Sequence, residues 1–192
     1  MAPPFVNQSC DPFLPRSAEC VVGSYVDYSI KVEGPSDITA GIDFAKKNNI
    51  RLIIRTSPST IVWGTVTDID VGNTGHDFNG KSTGPGALSL WTHHLKDIEF
   101  KDWSDKHYTG KAVKMGAGVQ GFEINKAAFD KGLQVVTGSC PTVGVAGGYS
   151  QGGGHSALTS AHGMAADQVR TQNRHPSSMN QTDSKRFSNG KS

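Results

Sequence analysis

The chain has 192 residues, enough for a single domain with a buried core. Hydrophobic residues make up 35% and charged residues 19%, with 23 glycines against 9 prolines, which excludes a collagen-like or wholly disordered chain. Lys and Arg number 19 against 17 Asp and Glu, a net charge of +2 that is too balanced for an electrostatic grip on nucleic acid, and no apolar run is long enough for a membrane-spanning helix.

The first segment, residues 1–24, holds Cys10 and Cys20 around a short proline-bearing loop, a spacing that suits a local disulfide in an oxidising compartment. Asn7 and Asn180 open glycosylation sequons and point the same way, whereas Met1 to Gln8 has neither the basic start nor the apolar run of a signal peptide. The compartment therefore stays open. Tyr25 to Val32 reads as a strand, and Pro35-Ser36-Asp37 as a helix entry with Ser36 as N-cap. Ile38, Ile42 and Ala45 continue an apolar stripe that stops at Asn48-Asn49, and Ile50 to Arg55 is a β-branched run suited to a buried strand. The segment from Tyr25 to Arg55 reads β-α-β.

Further strands are expected at Leu88–Trp91 and Ala112–Met115, then a helix over Val119–Lys131 with Phe122 and Phe129 one heptad apart and Gly132 as its stop. Leu133–Thr137 reads as a return to strand, so the alternation predicts an α/β or α+β nucleotide-type domain. From Arg170 onward the chain is rich in Ser, Asn, Gln and Thr and carries five basic residues against Asp183 alone. That composition reads as a disordered basic tail over 170–192.

Three constellations carry chemistry. Gly116 to Gly121 matches G-x-G-x-x-G between a strand and a helix, but Thr137 to Pro141 lacks the acidic residue that a dinucleotide site places at the end of the next strand, so an NAD-binding reading is weak. His76 follows Gly75 in a polar turn, where an isolated histidine is ordinarily a surface residue. Gly138 to His155 holds seven of the glycines around Cys140, Pro141, Val143, Val145 and Tyr149. Such a loop lets its backbone approach a ligand closely, and its apolar residues argue against a mere linker. A metal site is not expected: no C-x-x-C pair exists, His93 and His94 would point apart on a strand, and His155 and His162 have no acidic residue between them.

Taken together, RLIIR, NTGHDFNGKSTG, LSLWTHHLKDIEF, YTGKAVKMGAGVQGFE and GSCPTVGVAGGYSQGGGHSALTSAHGMAADQV resemble the FAD-binding (PCMH-type) domain of fungal FAD-linked oxidoreductases, relatives of berberine bridge enzyme in the vanillyl-alcohol oxidase superfamily. The Cys10 to Cys20 stretch is similar to the disulfide-bearing start of secreted members. The resemblance implies an α+β fold of two small α/β subdomains, the second incomplete, spanning residues 25–169. It also implies FAD bound covalently through His76 at the 8α position and Cys140 at C6, two bonds that would withdraw electron density and raise the flavin's potential. Asn73, Thr74, Gly75 and Asp77 would line a pyrophosphate turn, and Gly144, Ala146, Gly147, Gly152 and Gly153 the loop along the cofactor.

The implied reaction is hydride abstraction from a small secondary metabolite, with oxygen as acceptor and no part for nucleic acid or membrane. Residues 56–72 look inserted between the strand and the His76 turn, and the family pattern stops at Val169, so the chain is expected to be a truncated member. Its catalytic base and substrate contacts would belong to a later part. An inactive remnant is the alternative reading.

Overall fold

The computed structural model describes residues 13–19, 21–55 and 83–170. The architecture is α+β. Strand β1 (Tyr28–Lys31), helix α1 (Pro35–Lys47), strand β2 (Arg51–Arg55) and strand β3 (Ala87–Trp91) form a three-stranded parallel sheet in the order β1-β3-β2. The first two strands are therefore not neighbours, as a simple β-α-β unit would have them. β3 separates them, with Leu88 opposite both Tyr28 and Leu52.

Helix α1 covers the central strand closely: an added Cβ at Gly41 would stand 2.5 Å from Leu90 Cδ2. Its N-cap is Gly34 rather than Ser36, and the Asp37 carboxylate accepts the amides of Glu33 at 2.8 Å and Gly34 at 3.1 Å. An acidic side chain at the third helical position can reach back to the amides that precede the helix, which makes a separate Ser cap unnecessary. The helix ends at Lys47 with Asn48 as its cap, where the sequence places the stop.

Strands β4 (Ile98–Ser104) and β5 (Thr109–Met115) form an antiparallel hairpin. The sequence pattern shows the second of these and misses the first, because IEFKDWS mixes charges with its apolar positions and lies half-buried along most of its length. The hairpin packs on helix α2 (Gly121–Phe129), joining Ile98, Phe100, Val113 and Met115 to a core of Val119, Ile124 and Val145. The helix is shorter than expected and turned: Ile124 and Ala128 are buried, whereas Phe122 and Phe129 are exposed. The heptad of phenylalanines is thus not its core stripe. Leu133–Thr137 forms no strand, although Val136 and Thr137 are buried.

The chain then makes one π-helical turn, Val145–Tyr149, and two single-turn helices, α3 (Thr159–His162) and α4 (Ala165–Gln168). His155 lies outside α3, so it shares no helical face with His162. Cys10, Cys20, residues 56–72, His76 and the basic tail from residue 171 lie outside the described residues. Among the described residues no helix is long and apolar enough to cross a membrane.

Candidate functional site

Two regions of the fold bear the chemistry read from the sequence. The first is the carboxyl edge of the parallel sheet, the edge at which open α/β sheets receive ligands. Arg55 ends β2 with 2% of its surface exposed, donates to Ser29 Oγ at 3.0 Å and lies 5.5 Å from the Trp91 ring centroid. Trp91 ends β3 and stacks on His93 at 5.5 Å, with His94 edge-on at 4.6 Å. The two histidines sit in a turn after the strand with ring centroids 5.3 Å apart, rather than pointing away from each other along it. Asn73, Thr74, Gly75, His76 and Asp77 follow Arg55 in the sequence and lie outside the described residues.

The second region is the glycine-rich segment that begins at Gly138. Its cysteine-bearing start is docked on the amino end of α2. Gly121 N–H donates to Val143 O at 2.9 Å, Phe122 N–H to Pro141 O at 2.8 Å, and the Gln120 side-chain amide to Thr142 O at 2.7 Å. Val145 N–H donates to Val119 O at 3.0 Å, and Gly144 pairs with Gln120 in an isolated antiparallel bridge. Cys140 is half-buried, with its sulfur 3.8 Å from Thr142 Oγ1. The main-chain N–H of Gln120 donates to Glu123 Oε2 at 2.8 Å, and Lys96 bridges Glu123 Oε2 and Gly118 O at 2.7 and 2.8 Å.

These bonds decide what the G-x-G-x-x-G motif does. A dinucleotide site needs the first amides of its helix directed at a pyrophosphate. Here the amides of Gly121 and Phe122 are taken by protein carbonyls. Gly116 and Gly118 serve the packing: a Cβ on either would collide with the carbonyls of Leu95 and His93 respectively. The motif is a close backbone crossing, not a nucleotide grip.

Beyond Val145 the segment is mostly glycine, interrupted by Tyr149, Ser150 and Gln151. Gly147 is buried within the π-turn, Ala146 lies half-buried beside it, and Gly148 has open space where a side chain would stand. Gly152 N–H closes onto Gly148 O at 2.9 Å. Gly153 and Gly154 have φ of +100° and +74°, which only glycine adopts without strain. Cys140, Gly144, Ala146, Gly147, Gly152 and Gly153 thus lie along one continuous segment running from the amino end of α2 to α4. Sequence reasoning passed over Gln120, which carries no capping signal of its own; the legible one is Glu123 three residues later, whose side chain reaches back to the Gln120 amide.

A split parallel sheet followed by a hairpin, a helix and a cysteine-bearing glycine loop defines the fold as that of a VAO-type flavoprotein. It overlays on the VAO-type flavoprotein MtVAO615 of Myceliophthora thermophila C1 with a TM-score of 0.74 and 46% identity, over 86% of this chain and 27% of that one. The chain belongs to the FAD-binding domain family, whose model matches residues 68–172, and its cofactor is FAD. It is 57% identical over 169 residues to the FAD-linked oxidoreductase ZEB1 of Gibberella zeae, covering 88% of this chain and 27% of that protein. It is 50% identical to the FAD-linked oxidoreductase sor8 of Hypocrea jecorina, covering 88% and 26%. The chain spans about a quarter of the length of these relatives.

Proposed function

We propose that the chain is the FAD-binding portion of an FAD-linked oxidoreductase that takes a hydride from a small secondary metabolite and passes the electrons to oxygen, with the flavin held covalently by His76 and Cys140. The supporting observation is the placement of Cys140. Its sulfur is half-buried on a glycine-rich loop whose backbone is pinned to α2 and has open space at Gly148, and glycine there lets a broad flat ring come close to the main chain. FAD, when bound, supplies two-electron acceptance from a substrate C–H bond.

The protein's own part is to bind and orient. The α2 amides fix the main chain immediately after Cys140, so its thiol is presented from one place and little freedom is lost on attachment. Glycine at 144, 147, 152 and 153 keeps side chains off the path of a large ligand, and Asn73, Thr74, Gly75 and Asp77 would hold its pyrophosphate through main-chain amides. Relatives named as FAD-linked oxidoreductases support the reaction class.

The test is acid-stable flavin. After incubation with FAD and acid precipitation, the wild-type chain should retain flavin absorbance, each of His76→Ala and Cys140→Ala should retain one attachment, and the double variant none. Acid-stable flavin in the double variant would sink the assignment.

A further inference from the structure

The same segment contains a second fixing point. Tyr149 projects from the π-turn back into the loop that carries it. Its ring lies edgewise between two glycines: an added Cβ on Gly138 would stand 3.3 Å from Cε2, and one on Gly154 would stand 3.0 Å from Cε1, on opposite edges of the ring. Its single hydroxyl proton is shared between two carbonyls, Gly154 O at 3.0 Å and His155 O at 2.9 Å. Gly154 O also accepts the Ala165 amide at 3.0 Å, and the Gly153 carbonyl accepts that of Ala166 at 3.0 Å, so the far end of the loop is tied to α4. Burial pushes the phenol's pKa up, which keeps the hydroxyl protonated and able to donate.

We infer that Tyr149 is a positioning residue, a clasp that joins the two ends of the Gly138–Gly154 loop and fixes Cys140 from its amino-terminal side. Cys140 is then pinned twice: two residues before it, Gly138 rests on the Tyr149 ring, and directly after it Pro141 to Val143 rest on α2. Glycine is required at Gly154, where φ is +74° and a Cβ would stand 2.5 Å from Ala165 Cβ, while at Gly138 a side chain would crowd the ring and push it aside. A loop of this glycine content loses much chain entropy on ordering, and a crosslink between its ends removes most of that freedom at once. That the ordered thiol serves flavin attachment rests on the function proposed above; the clasp does not.

The experiment uses the full chain without flavin and follows alkylation of Cys140 by iodoacetamide, located by peptide mass mapping. Tyr149→Phe keeps the ring and removes both hydroxyl bonds, and it should speed alkylation about five- to tenfold by raising the open population of the loop. Tyr149→Leu, which also removes the wedge, should exceed that. Val113→Ala is the control: it trims the same core without touching either glycine and should lower the melting temperature with little change at Cys140. The inference is overturned if Tyr149→Phe leaves the alkylation rate unchanged, or if the rates of all three variants simply follow their melting temperatures. A parallel incubation with FAD separates the two ideas. A wild-type Cys140 peptide that gains no flavin mass removes the attachment reading, while the alkylation rates still decide the clasp.

Discussion

The two long helices share one capping device and differ in what is added to it: in each, the acidic residue at the third helical position takes the amide of the residue before the helix, Asp37 that of Gly34 and Glu123 that of Gln120. In helix α1 the device stays local, and Asp37 also takes the amide of Glu33 in an exposed setting. Helix α2 in addition has its first amides taken by carbonyls from residues some twenty positions later, those of Pro141 and Val143, and its preceding Gln120 reaches Thr142 O. A self-capped helix end is a local device that only needs to start a helix. An end that a distant loop also holds is a structural joint, and here the joint carries the cysteine.

Substitutions can break or sharpen that contrast. The largest effect is expected from Ile124→Ala, because Ile124 is fully buried at the centre of the core under α2. Loss of about 2–5 kcal/mol should appear in denaturant unfolding, together with release of the Cys140 segment. Gln120→Ala should cost about 1–3 kcal/mol, since it strips a half-buried carbonyl of its donor. Hydrogen exchange at the Gly121 and Phe122 amides should quicken with it, and unchanged protection there would show that the joint does not depend on Gln120. Asp37→Ala should cost only about 0.3–1 kcal/mol and fray the first turn of α1. If exchange at Gly121 also rose in that variant, the two helix ends would not be independent and the comparison would fail.

The same contrast explains what could be read beforehand. Helix α1, β2 and β3 were legible because their signals are local: an apolar stripe, a β-branched run, an Asn-Asn stop. Even there Ser36 was mistaken for the cap that Asp37 makes from inside the helix. Strand β4 was missed because charges interrupt its half-buried face, and α2 was turned the wrong way because Phe122 and Phe129, its largest apolar residues, point outward. The glycine loop and Cys140 were recognised as a motif, but the Gln120 to Thr142 bond spans too much sequence for any spacing rule to show. Which side chains fasten a loop is a property of the folded chain; which loop needs fastening was visible in its glycines.

Gly116 and Gly118 carry a consequence for anyone screening variants by colour. Replacing either would drive a Cβ into main-chain carbonyls, that of Leu95 at Gly116 and those of Thr92 and His93 at Gly118, and shift the crossing on which α2 begins. The Cys140 segment would move with it. Pale variants would then cluster on a nucleotide-like signature, and a mutational map read without coordinates would credit these glycines with holding the cofactor when their role is clearance between two stretches of backbone.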